Sequence, residues 1–164
     1  MILRQTFKNH VVLLEFTITV TVLLIGIWWY FFNFEKDTLV VMGIFHGVFT
    51  FPALYLHIEY AMKNAGEEIE ISYNEVLVRK HGQERRYNSS DLSKIIVYKS
   101  ASLDRGGIPL SAMEHYNFAR LIAKNGEEII ITCLMSRKVD EEVRQLGGVL
   151  YERKKRFFCT TKWK

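Results

Sequence analysis

The stretch 11-VVLLEFTITVTVLLIGIWWYFF-32 decides the architecture. It holds 22 residues and one charge, Glu15. At about 1.5 Å per residue a helix of that length reaches roughly 33 Å, against a bilayer hydrocarbon core of about 30 Å. Five residues, NFEKD, separate it from a second apolar block, 38-TLVVMGIFHGVFTFPALYLHIEYA-61. The pair predicts a transmembrane helical hairpin over residues 1–62, with helices at about 11–32 and 38–61. A cleaved signal peptide does not fit. Its apolar region would be shorter and would end at a small-residue cleavage site, and none follows.

Charge divides the chain in the same place. Of 22 Lys/Arg and 18 Asp/Glu, residues 1–62 carry three and four, and residues 63–164 carry nineteen and fourteen. Arg4 and Lys8 precede the first helix; Lys63, Arg79 and Lys80 follow the second. Positive flanks favour the cytoplasmic side. The expectation is a multi-pass membrane protein, both termini cytoplasmic, with Trp28, Trp29 and Tyr30 at the outer interface.

Glu15, His46 and His57 stand out within the apolar blocks. Ionisable groups at membrane depth are functional candidates by default. In an antiparallel hairpin Glu15 and His57 lie at similar depth, which predicts a contact between them; His46 has no evident partner. GIFHG places Gly43 and Gly47 four apart, a spacing that lets helices approach closely and suggests a homodimer. Pro52 is expected to kink the second helix.

From Lys63 the pattern changes to alternation. EEIEISY sets Ile69, Ile71 and Tyr73 on one face and Glu68, Glu70 and Ser72 on the other, a strand with one buried face. EVLVRKH and ERRYN follow as strands, Asp91 marks a short helical turn, and LSKIIVYKS is a more continuously apolar strand. ASLDRGGIPLSAME reads as a loop, and its Ile108 and Leu110 are candidates for contact with lipid or a partner. Asn125–Gly126 between two apolar runs is the strongest hairpin signal in the chain. RKVDEEVRQL, with Ser136 as its cap and Val139, Val143 and Leu146 on one stripe, reads as a helix ended by Gly147–Gly148. VLYERKKRFF is a last strand or an extended tail. Arg153, Lys154, Lys155 and Arg156, with Phe157, Phe158 and Trp163, suit anionic headgroups or a protein partner. The membrane tether ranks lipid above nucleic acid, which is not expected as a partner.

The order of two membrane helices, about six short strands and one late amphipathic helix resembles the bacterial pleckstrin-homology-like domains behind small membrane anchors. The YcxB-like membrane proteins are a close alternative. The resemblance covers about residues 67–148 and rests on GEEIEIS, SSDLSKIIVY, FARLIAKNGEEIIIT and SRKVDEEVRQL. It implies a mostly-β, partly open barrel plugged by the helix, α+β overall, in a cytoplasmic domain over 63–164 with a basic tail. The family pattern has seven strands against the six placed here, and its helix usually closes the domain. The resemblance implies binding or scaffolding and transfers no ligand.

No nucleophile elbow, metalloprotease helix, phosphate loop or dinucleotide fingerprint occurs. Cys133 and Cys159 lack metal-ligand spacing. The expectation is a non-enzymatic interaction module without cofactor or metal. Its alternative is an accessory or regulatory subunit of a transport or sensing complex, working through the polar residues of the hairpin.

Overall fold

Two long helices rise from one end of a two-sheet β domain in this computed structural model, which describes residues 1–32, 35–107 and 111–163. Helix α1 runs Phe7–Phe32 and helix α2 runs Lys36–Lys63, with Pro52 inside it. Both exceed the expected spans at their domain ends. Both are long and apolar enough to cross a membrane, and most of their surface is not buried.

Strand β1, Ile2–Arg4, precedes α1 and pairs antiparallel with β2, Glu67–Ile71. The sequence pattern, which places the β domain at 63–164, gives no sign of it. Its middle residue Leu3 lies opposite Ile69 and is buried with it. Strands β3, Glu75–Lys80, and β4, Gln83–Asn88, complete the first sheet in the order β1-β2-β3-β4. The turn after β4 is a short 3-10 segment, Ser89–Asp91. Asp91 ends it as the acidic partner of a capping box with Asn88.

The second sheet runs β7-β6-β5-β8. Strand β5, Leu92–Lys99, is central, between β6, Phe118–Ala123, and β8, Leu150–Lys155. β7 is Glu128–Thr132. Asn125–Gly126 turns β6 into β7 as its sequence predicts, with Gly126 at φ 89°. β8 is the only parallel partner among the described strands and settles VLYERKK as a strand rather than an extended tail.

The sheets face one another across a core of Ile69, Val76, Ile95, Val97, Leu121 and Ile131. One edge is closed by Val139, Val143 and Leu146 from the short helix α4, Val139–Val143, and the turn after it. α4 is shorter than expected, and Ser136 is not its cap. Ser136 accepts from the Lys138 N–H and donates to Glu142, tying the preceding turn to the helix.

The second sheet is buried on its other face too. Ile96, Tyr98, Phe118 and Ile130 point away from the first sheet and pack against Leu56 and Tyr60 of α2, Leu13 of α1, and Met113. This explains the continuous apolar run of β5, since both alternating sets of side chains are covered. The described parts of 101–114 form helix α3, Ala101–Asp104, and a 3-10 turn, Ala112–His115, which lies over the domain's own core. Tyr60 meets Tyr116 and Phe118 edge-on, with ring centroids 5.6 and 6.1 Å apart. The architecture is α+β: two apolar helices and a pair of four-stranded sheets that do not close into a barrel.

Candidate functional site

The junction between the hairpin and the β domain brings together a few of the predicted residues, His57, Phe158 and Trp163 among them. Asn64, just past α2, is fully buried. Its amide donates to the Ile130 carbonyl at 2.7 Å and accepts from the Thr132 N–H at 3.3 Å. One side chain thus occupies the open edge of β7, where unpaired backbone groups would otherwise invite another chain.

The C-terminal tail returns to the same helix. Glu59 is 6% exposed, and its carboxylate accepts from the Thr161 N–H at 2.6 Å and the Thr160 hydroxyl at 2.8 Å. The Tyr60 hydroxyl donates to the Cys159 carbonyl. Arg120, buried on β6, donates to the carbonyls of Thr161 and Trp163 at 2.6 and 3.1 Å. Sequence reasoning missed Glu59 and Arg120. The available signal was a lone carboxylate within an otherwise apolar turn, HIEYA, with a Thr-Thr pair far downstream to satisfy it.

The basic residues of β8 are not a free patch. Arg153 pairs with Asp140 at 2.7 Å and Asp104 at 3.6 Å. Lys155 pairs with Asp104 at 3.0 Å, and Lys154 with Glu152 at 3.6 Å. Arg156 stacks over the Tyr98 ring at 4.7 Å. Asp140 also meets Lys99 and the Tyr151 hydroxyl, and Arg144 at 3.3 Å. Burial pushes Asp140 upward, but hydrogen bonds from Lys99 and Tyr151 and the charges of Lys99 and Arg153 outweigh it and hold the carboxyl below its ordinary range. The Lys155 hydrogen bond does the same for Asp104. Lys99, Arg144, Arg153 and Lys155 against Asp104 and Asp140 leave this cluster two positive charges in excess.

Beside it lies an aromatic rim. Phe157 is 64% exposed, and Phe158 stacks on Tyr55 at 6.0 Å and meets Trp163 at 6.0 Å. Lys162 donates to the Tyr55 hydroxyl at 2.9 Å. The tail is therefore docked, not frayed. Ile108 and Leu110 lie outside the described residues.

The expected Glu15–His57 contact is not made. His57 Nε2 is 2.9 Å from His10 Nδ1, and its other nitrogen is 3.0 Å from the Tyr116 hydroxyl. His10 begins the first turns of α1, so α1 starts earlier than the apolar run suggested and brings its own partner. Glu15 is exposed, with no hydrogen bond or ion pair among the described residues. His46 does have partners: Thr21 Oγ1 across the hairpin at 2.9 Å and Thr50 Oγ1 at 3.1 Å. Gly43 and Gly47 face away from α1, in a groove lined by α2 alone, where a Cβ on Gly43 would meet nothing within 4 Å.

Burial pushes the Cys133 and Cys159 thiols up to about 12, so neither is a nucleophile at neutral pH. No three His, Cys, Asp or Glu side chains gather as a metal site among the described residues.

Comparison with protein families matches residues 3–140 to a family described as PH domain. The match begins within β1 and runs through the hairpin to α4, so it spans both apolar helices. No curated protein and no solved structure matches the chain.

Proposed function

We propose that this chain, which belongs to the PH domain family, is a small membrane-anchored module of the kind found in bacteria, holding a cytoplasmic PH-like domain against the inner leaflet to bind anionic headgroups. The observation that carries this reading is a length. On α1 the domain buries side chains as far as Thr17, and on α2 from Ala53 onward. Beyond these, Ile18–Phe32 and Lys36–Pro52 hold no buried residue over fifteen and seventeen residues. At about 1.5 Å per residue these reach roughly 22 and 25 Å, short of the ~30 Å hydrocarbon core. A hairpin that spans the core therefore draws the domain's near rim into the interface. Phe157, Phe158 and Trp163 stand at that rim beside Lys155, Arg156 and Lys162. Aromatic rings suit that depth, and each cation near an anionic surface contributes about 1 kcal/mol. The acid partners Asp104 and Asp140 lower the net effect and fix the cations in place.

The test uses the full chain in nanodiscs, with Trp28 and Trp29 changed to Phe so that Trp163 reports alone. Anionic lipid is expected to shift its emission to the blue, salt to reverse the shift, and Lys155→Gln with Lys162→Gln to weaken it. Indifference to lipid charge and salt removes the headgroup reading and leaves a protein partner for the same rim.

Two further interactions belong to the reading. The Gly43–Gly47 groove fits the same helix of a second copy, because its small residues allow close backbone approach and α1 does not fill it. Glu15 favours the alternative role as an accessory subunit in a transport or sensing complex. A carboxylate without a partner among the described residues is costly at that depth unless another protein or water meets it. Glu15→Gln without phenotype removes that alternative.

A further inference from the structure

We propose that His10, His57 and Tyr116 form a proton-sensing joint between the two long helices and the β domain, which stays closed with one added proton and opens with a second. His10 Nδ1 lies 2.9 Å from His57 Nε2, and His57 Nδ1 lies 3.0 Å from the Tyr116 hydroxyl. The imidazole centroids are 4.9 Å apart, so the two facing nitrogens lie between the rings, edge to edge. The row runs from α1 through α2 to the residue that closes the 3-10 turn Ala112–His115. Tyr116 is fully buried, and its ring packs edge-on against Tyr60. Both histidines are half-buried, so protons reach them from water.

Each bond in the row holds one proton. With both imidazoles neutral, the protons point the same way: Tyr116 donates to His57 Nδ1, and His57 Nε2 donates to His10 Nδ1. An added proton on His57 Nδ1 turns the bond to Tyr116 round, and His57 then donates to both neighbours. Both bonds persist, and the charge strengthens them. The next proton goes to His10 Nδ1, whose lone pair had accepted the bond. It sets two N–H groups and two positive charges against each other across 2.9 Å. Starting from the reverse proton order leads to the same opposed pair. The rings then part. Gln5 still holds the Tyr60 and Ala61 carbonyls from the start of α1, so the opening is local and the helices stay together.

Among the described residues no carboxylate bonds to the pair and offsets the second charge. From α1, the neighbouring Asn9 is uncharged and bonds to the Leu134 and Met135 carbonyls. On α2, Glu59 lies two residues beyond His57 and is turned to Thr160 and Thr161. The Tyr60 hydroxyl donates to the Cys159 carbonyl. From the β domain, Tyr116 faces His57, with the Cys133 thiol acting on Tyr116 behind it. Glu114 accepts from Ser102, and His115 turns its ring to Phe16. His10 is the one group whose charge weighs on His57. The two histidines therefore titrate as a coupled pair, in two steps. The joint responds as pH falls from about 8 toward about 5, above the range in which Asp140 takes up its proton.

The experiment uses the full chain with 15N-labelled histidine in zwitterionic nanodiscs, so that headgroup binding at the rim plays no part. The expected result is a scalar coupling across the hydrogen bond between His10 Nδ1 and His57 Nε2 that survives the first titration step and vanishes with the second. Hydrogen exchange, corrected for the intrinsic effect of pH, should quicken about tenfold over the same step in the peptides around His10 and His57. His10→Asn keeps a polar side chain and removes the charge, and should make that exchange independent of pH. His115→Asn removes the nearby histidine outside the row and should leave the response intact. A coupling that is absent at neutral pH or persists through both steps overturns the proposal, and that reading needs no variant. So does a pH response that His10→Asn retains or that His115→Asn removes.

Discussion

The carboxylate of Glu59 accepts a hydrogen bond from the Thr161 backbone at 2.6 Å, joining the last turns of α2 to a tail 102 residues later. Thr160 adds a second bond at 2.8 Å, and the buried Arg120 holds the carbonyl side of the same segment. The tail thereby covers the face of the second sheet that the helices leave open. Glu59→Gln keeps the shape and removes the charge that strengthens these bonds. The expected cost is about 2 kcal/mol, with earlier proteolysis of residues 156–163 while the sheets stay folded. Unchanged protection of the tail contradicts this latch.

Strand β1 makes the β domain depend on residues that lie before the hairpin. Leu3→Ala is expected to cost about 2–3 kcal/mol in urea unfolding, because Leu3 sits in the core opposite Ile69. By the same argument a fragment of residues 63–164 lacks both β1 and the α2 residues under the second sheet. It should show molten behaviour, with no cooperative thermal transition.

Asp140 ties α4 to β5 and β8. Its carboxyl lies below its ordinary value in the folded chain. The unfolded chain therefore takes up a proton first as pH falls, so the Asp140 contribution is complete above about pH 4 and is lost below it. Asp140→Asn should cost about 2 kcal/mol at neutral pH, since it leaves the mostly buried Lys99 without its carboxylate and Arg153 with Asp104 alone. It should also flatten the acid limb of the stability curve. An acid limb identical to that of the parent contradicts the assignment.

His10 and His57 join the two helices at the domain end with one N–H···N bond. A double-mutant cycle with His10→Ala and His57→Ala should show a coupling of about 1 kcal/mol, whereas Glu15→Ala and His57→Ala should be additive. The reverse pattern restores the contact expected from depth alone.

Much of the fold was legible from local signals. EEIEI alternates because the first sheet has one wet face, and IIVY does not because the second sheet is covered on both. Asn125–Gly126 specified its turn through backbone chemistry alone. β1 was illegible: three residues carry no period, and a strand so short is defined by its distant partner, Leu3 by Ile69. His57 was placed at the right depth but given the wrong neighbour, since helix rotation depends on packing that no residue spacing records. The basic run 153–156 could not reveal its own neutralisation, because Asp104 and Asp140 reach it only through the fold. Glu59 shows the same limit, its partners lying in a tail without any pattern of its own.

The account rests on a hairpin that crosses the bilayer and keeps the β domain on the cytoplasmic side. Its most direct test combines carbonate extraction with protease accessibility of the full chain in intact cells and in inverted membrane vesicles. The account predicts that the chain stays in the carbonate-washed membrane, resists protease in intact cells, and loses the exposed β4 strand with its Arg85–Arg86 pair in inverted vesicles. Release by carbonate, or cleavage at β4 in intact cells, contradicts it.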